Sequence, residues 1–159
     1  MPIAIGDHVP DVKLTVVESG EYRETTTAAY FAGKTVALFA VPGAFTGTCS
    51  TKHLPSFLEH ADAFKAKGAE IACLSVNDKD VLKAWSKATG SDGKITFLAD
   101  GNADFAKALG LETDSSRFGM GIRSRRFSLL VADGVVKEFN LDEPGKFGNS
   151  SGEVLLRAL

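Results

Sequence analysis

Apolar positions along this chain change period several times, and each change marks an element. From Val9 to Val17, the residues Val12, Leu14 and Val16 alternate with more polar neighbours, which predicts a strand with one face on a core. Glu18-Ser19-Gly20-Glu21 is a turn signal, and residues 22–27 read as a returning strand. The threonines at 25, 26 and 27 favour extended backbone but are polar, so this N-terminal hairpin belongs at a sheet edge. Residues 35–41 are almost continuously apolar and stop at Pro42, the mark of a strand buried on both faces. The period then lengthens. Leu54, Phe57, Leu58, Ala61 and Phe64 recur at intervals of three or four, which predicts an amphipathic helix over 50–67. Pro55 removes one backbone donor and should kink that helix about a turn beyond Cys49, and Gly68 suits its end.

Residues 70–76 predict a second buried strand. Asn77 or Asp78 can cap the following helix, which carries Val81, Leu82 and Trp85 as far as Ala88. A loop at 90–93 leads to a short strand over 95–98 and a short helix over 104–109, stopped by Gly110. Residues 112–124 read mostly as loop. Strands over 127–132 and 135–139 flank Asp133-Gly134, a dipeptide suited to a type I′ turn. A Gly/Pro/Asn/Ser-rich loop over 142–152 precedes a closing helix. Two parallel strands joined by a helical crossover, then an antiparallel hairpin and a last helix, predict an α/β, thioredoxin-like fold. Its central mixed β-sheet is flanked by helices and extended by the N-terminal hairpin. No repeat or linker divides the chain, and 159 residues suit one domain over 1–159.

Composition narrows the class. Apolar residues make up 44% and charged residues 24%, the balance of a soluble globular protein. A formal charge of −2, with no basic block, gives no pull toward nucleic acid. No apolar stretch approaches the length of a membrane span, and the N-terminal residues carry no secretory pattern. The two cysteines, Cys49 and Cys73, have neither C-x-x-C nor zinc-ligand spacing. Free thiols in a reducing, cytoplasmic setting are the expectation.

The chemistry concentrates at Cys49. It follows the buried strand and a tight turn and sits where the next helix starts. Backbone N–H groups in a first helical turn lack partners and the dipole is positive there, so thiols at helix starts ionise more readily. Of Thr46 and Thr48, one hydroxyl can cap the helix and the other can point at the sulfur. The plainer alternative makes Cys49 a small buried hydrophobe. Arg123, Arg125 and Arg126 cluster before the strand at Phe127. Alternation puts Arg126 on the face of Ser128 and Leu130, from where a guanidinium can reach the helix start. The alternative is a solvated basic cluster. His53, four residues after Cys49, could pair with the thiol as in cysteine hydrolases, but no third group is evident in the sequence to orient its ring. His8 and His60 read as surface residues and Trp85 as core. Phe45 and Phe118 either line an apolar pocket or dimer contact, or simply pack.

Pro42-x-x-x-Thr46-x-x-Cys49, followed by Ser50-Thr51-Lys52-His53-Leu54-Pro55, resembles the active-site motif of the peroxiredoxins. Ala72-Cys73-Leu74-Ser75-Val76-Asn77-Asp78 and Arg126-Phe127-Ser128 resemble the second strand and the arginine strand of the type II, peroxiredoxin-5-like subfamily. The likeness runs from about Gly6 to the C-terminus. It implies that Cys49 attacks a hydroperoxide and becomes a sulfenic acid. It implies that Thr46 donates or relays a hydrogen bond, that Arg126 stabilises the charges, and that Pro42 shields the sulfur. No metal and no organic cofactor are implied, and a homodimer is.

Some members of the subfamily carry a resolving cysteine near the C-terminus. The corresponding loop here, residues 146–152, has serines instead, so a disulfide cycle through it is out of reach. Cys73 lies mid-strand and reads as an inert core thiol, since bridging to Cys49 requires Cα atoms within about 7 Å. The second thiol is then external, from glutathione with glutaredoxin or from thioredoxin.

Overall fold

The computed structural model describes residues 2–159. Strands β1 (Lys13–Glu18) and β2 (Glu21–Thr26) form the N-terminal hairpin, and helix α1 (Thr27–Phe31) follows. Strand β3 (Thr35–Val41) leads to a π-helical turn, Cys49–His53, which runs into α2 (Leu54–Leu58) and α3 (Ala61–Ala66). Next come β4 (Ala69–Ser75), α4 (Lys79–Thr89), β5 (Thr96–Ala99) and α5 (Asp104–Ala108). Strands β6 (Glu112–Asp114) and β7 (Ile122–Ser124) form a small separate ribbon. The chain closes with β8 (Phe127–Ala132), β9 (Val135–Leu141) and α6 (Gly152–Leu156).

Seven strands make one mixed sheet in the order β2-β1-β5-β4-β3-β8-β9. The three central strands β3, β4 and β5 are parallel, while β1 and β8 join antiparallel on either side. This is the thioredoxin-like arrangement with its hairpin extension. The apolar run of β3 is explained by what covers it. Val36, Leu38 and Ala40 face a cluster with Tyr30 and Phe31 of α1 and Phe105 of α5. Ala37, Phe39 and Val41 face a second cluster with Cys49, Phe57, Phe64 and Trp85. Ile71 and Cys73 of β4 and Leu130 of β8 share this second side. Alternation along β4 thus puts Cys73 on the face of the sheet against which the turn carrying Cys49 packs.

Three features depart from the sequence reading. The helix expected over 50–67 is not continuous: it breaks at Glu59 and His60, and its first part is a π turn in which the Leu54 N–H reaches the Cys49 carbonyl. Pro55 lies just inside α2, so the expected irregularity exists but is spread over the turn before the proline. The segment 112–124, read as loop, contains the β6–β7 ribbon. Helix α1 was not anticipated, being only five residues long. The Asp133-Gly134 turn matches its expected type: both residues have positive φ, 47° and 79°.

The C-terminal helix is tied to the site by a close approach. The Ser56 hydroxyl donates to the His53 carbonyl at 2.6 Å, and the Gly152 N–H donates to the Ser56 oxygen at 3.0 Å. A Cβ at Gly152 would collide with the Ser56 carbonyl and approach the Phe57 nitrogen to 3.0 Å. Both neighbours are helix backbone and cannot move cheaply. Gly152→Ala should therefore lower unfolding stability by about 3 kcal/mol, read from urea denaturation midpoints.

Candidate active site

Strand β3 ends at Val41, and Pro42, Gly43 and Ala44 turn the chain toward the helix. Ala44 N–H donates to the Asn77 side-chain oxygen at 3.0 Å, which pins this turn to the loop after β4. Helical backbone begins at Gly47, so Cys49 lies in the first turn, and the Ser50 N–H already reaches the Thr46 carbonyl at 3.0 Å. Cys49 is 1% exposed. The sequence left two tasks for the threonine hydroxyls, and Thr46 does neither: its hydroxyl donates to the Gly43 carbonyl at 2.8 Å and so closes the turn. Thr48 makes no side-chain capping bond.

Arg126 reaches this turn from the start of β8. Its Nη2 donates to Cys49 Sγ at 3.1 Å, across 77 residues of sequence. Its Nη1 lies 2.8 Å from His53 Nδ1. A guanidinium only donates, so Nδ1 must carry the lone pair and Nε2 the proton. Nε2 accordingly faces the Ser150 carbonyl at 3.0 Å and the Ser150 hydroxyl at 3.2 Å. The His53 ring is fully buried, with Phe39 and Phe147 at centroid distances of 4.9 and 5.1 Å. Burial, with the Arg126 charge beside it, pushes the imidazole down to about 3, against the Ser150 carbonyl bond and the Asp142 charge. His53 is therefore neutral at pH 7 and turned toward Arg126. The cysteine–histidine pair weighed from the sequence gives way to an arginine–histidine pair. Ser150 is the orienting group that the sequence did not reveal.

The other basic side chains separate. Arg123 is spent on backbone, donating from Nε to the Met120 carbonyl at 2.8 Å and from Nη1 to the Val76 carbonyl at 3.1 Å. Arg125 is half-buried and lines a pocket of about 410 Å³ together with Pro42, Thr48, Phe118, Met120 and Arg126. Through Pro42 and Thr48 this pocket lies against the turn that holds Cys49, which does not itself line it. Phe118 faces it and is 68% exposed, whereas Phe45 is not among its lining residues and leans on Trp85 at 6.4 Å. A larger groove of about 810 Å³ lies by Lys13, Thr26 and Asp100, away from every candidate residue. Trp85 is core, as expected, and its indole N–H also donates to the Ser50 hydroxyl at 2.9 Å, one residue from Cys49.

Cys73 is fully buried in β4, and both cysteines are free thiols. Burial pushes the Cys73 thiol well above its usual range, with Cys49 adding and Arg126 opposing. His8 is exposed, while His60 is partly buried and pairs with Glu153 at 3.2 Å. Glu59 joins these two to bring three ligand-type atoms within 4.8 Å of one another. Only His60 and Glu153 of the three are in hydrogen-bond contact. No helix among the described residues is long and apolar enough to cross a membrane.

A strand, a tight turn and a helix-start thiol under an arginine, all on a thioredoxin-like sheet, define a class, and residues 4–152 match the Redoxin family. The chain is 50% identical over 163 residues to peroxiredoxin-2E-2, chloroplastic, of Oryza sativa subsp. japonica, covering 99% of this chain and 72% of that protein. It is 46% identical over 160 residues to peroxiredoxin-2B of Arabidopsis thaliana, covering 99% of each. Reduced Prx3 of Vibrio vulnificus in complex with H2O2 superposes with a TM-score of 0.92 at 45% identity, covering 98% of each chain. The protein belongs to the Redoxin family and, within it, to the type II peroxiredoxins. It is a thiol peroxidase that reduces peroxides.

The His53 geometry has a measurable consequence for stability. The unfolded imidazole titrates near 6.5 and the folded one near 3. Between these values the unfolded chain binds one more proton, so stability falls as pH falls through this window and is unaffected by His53 above it. From pH 7 to pH 5 the contribution is about 2 kcal/mol. Denaturant titrations at the two pH values should show this loss in the wild type and a correspondingly smaller one in His53→Gln.

Proposed function

We propose that the protein reduces hydrogen peroxide and alkyl hydroperoxides with Cys49 as its one reacting thiol. The observation that carries this reading is the 3.1 Å contact between Arg126 Nη2 and Cys49 Sγ. The Cys49 thiolate attacks the terminal peroxide oxygen. A sulfur–oxygen bond forms, the oxygen–oxygen bond breaks, and the departing alkoxide or hydroxide takes a proton to leave as alcohol or water. Arg126 faces both the sulfur and the space where those oxygens develop charge, which is the largest kind of catalytic term available without a metal. Pro42, at the pocket wall, limits water around the sulfur. Thr46 is proposed to relay a hydrogen bond at the reacting atoms, its hydroxyl oxygen remaining free to accept while its proton is held by Gly43.

The sulfenic acid is proposed to be resolved by an external thiol. That thiol attacks the sulfur, water leaves, and a second thiol then releases Cys49 from the mixed disulfide. Glutathione with glutaredoxin is the first choice and thioredoxin the second. Two observations support an external thiol. Cys73 is fully buried with its ionisation suppressed, and the loop over 142–152 carries Ser150 and Ser151 and no cysteine. A reducing, cytoplasmic setting fits free thiols. We also propose a homodimer, supported by exposed apolar side chains at Phe45, Phe118 and Ile122. Sedimentation at micromolar concentration checks it: a species of twice the chain mass is expected, and a single monomer contradicts it.

Peroxide consumption driven by glutathione with glutaredoxin, and separately by thioredoxin, tests the mechanism. Cys49→Ser should be inactive with either reductant. Cys73→Ser should keep turnover within about twofold, because a buried, unionised thiol is a poor nucleophile. Arg126→Gln should react with peroxide about 100-fold more slowly. Loss of turnover in Cys73→Ser with Cys49 still oxidised would instead make Cys73 the resolving thiol.

A further inference from the structure

Arg126 has two acceptors, Cys49 Sγ and His53 Nδ1. Among the described residues, no carboxylate lies within ion-pair distance of it. That arrangement matters for a guanidinium that must serve a sulfur anion. A carboxylate in direct contact would compete for the same charge, whereas a neutral imidazole orients the fork and leaves the charge available.

The imidazole can do this in one tautomer only, and the C-terminal loop holds that tautomer from the other side of the ring. Asp142 is 4% exposed and follows β9, where its own N–H donates to the Arg126 carbonyl at 3.0 Å. Its carboxylate accepts from the N–H groups of Gly148, Asn149 and Ser150 at 3.3, 2.8 and 3.1 Å, and from the Ser150 hydroxyl. Burial acts to raise this carboxyl, but the Ser150 hydroxyl and the three N–H donors together hold it below the usual carboxylate range. An ionised carboxylate only accepts, so the Ser150 hydroxyl must spend its proton on Asp142. The hydroxyl oxygen is then left with lone pairs toward His53 Nε2, and the Ser150 carbonyl is an acceptor too. Both acceptors demand the proton on Nε2. Nδ1 is left bare for Arg126.

We propose that Asp142 and Ser150 are positioning residues for the peroxide reaction, fixing the tautomer of His53 and through it the guanidinium over Cys49. They touch no reacting atom. The relay begins in the loop over 142–152, which is bonded to the site from behind. Without Asp142 the Ser150 hydroxyl is free to donate to Nε2. That donation competes with the Ser150 carbonyl and Arg126, so part of the population carries the proton on Nδ1, where it faces the Arg126 N–H and costs the guanidinium its second acceptor.

The inference rests on the peroxidase reading, and its test separates the two. Asp142→Asn, Ser150→Ala and the wild type are compared in three measurements on the reduced protein. These are the rate constant with H2O2, the 15N shifts of the His53 ring, and the melting temperature. In the wild type the ring nitrogens should report a proton on Nε2. Asp142→Asn should show mixed tautomers and react about tenfold more slowly with H2O2, and Ser150→Ala should be affected less because it leaves no hydroxyl to donate to Nε2. The Asp142→Asn effect should vanish in a His53→Gln background, since glutamine has no tautomer to lose. A purely structural role would lower the melting temperature while leaving the rate and the ring shifts as in the wild type, and that result overturns the proposal. So does an Asp142→Asn penalty of equal size with and without His53. If the wild type consumed no peroxide, the peroxidase reading would fail, and the relay would still stand or fall by the ring shifts.

Discussion

The contact between Arg126 and Cys49 organises the molecule, because the partners come from two different strands that end side by side, and neither is held there by local sequence. Cys49 is delivered by β3 through the Pro42 turn, and Arg126 by the start of the neighbouring strand β8. The two strands pair in register from Thr35–Ala132 to Ala40–Phe127, so the sheet itself sets the separation of the two side chains. A thiol in a first helical turn is a common feature. A thiol at such a turn that also meets a guanidinium, while 1% exposed, is a candidate site.

Burial has opposite effects on the groups around it, and this separates their roles. Cys73 shares a sheet face with Cys49 but is sealed in a β-strand with no donor aimed at it, so its thiol is kept protonated. His53 is sealed too, and is kept neutral. That neutrality suits it to hold a guanidinium and unsuits it to be the cation of a hydrolase pair. Asp142 keeps its charge because four donors surround it, two hydrogen-bonded residues away from the guanidinium. One buried network therefore holds a cation at the sulfur and a carboxylate two residues away from that cation.

The sheet was legible because its strands carry strong, uninterrupted signals. The run 35–41 coincides with β3, and Asp133-Gly134 fixed the last hairpin through turn chemistry alone. The helix over 50–67 was legible in its apolar face but not in its continuity. The π turn over Cys49–His53 precedes the first apolar position that marked the helix, so the periodicity carries no signal of it, and the break at Glu59 and His60 falls between apolar positions. Arg126 could be proposed from strand alternation. The partners of His53 could not, because Ser150 is 97 residues away and lies in a loop whose serines and glycines carry no periodic signal. Thr46 was recognised as important by position, yet its hydrogen bond goes to the backbone of its own turn, a choice that side-chain chemistry leaves open.

The central claim is that placement, not cysteine content, decides which thiol meets peroxide. Treating the reduced protein with one equivalent of H2O2 in the presence of dimedone, then mapping the adduct by peptide mass spectrometry, tests it most directly. One dimedone adduct is expected, on Cys49, with Cys73 unmodified. An adduct on Cys73, or none on either cysteine while peroxide is consumed, would contradict it.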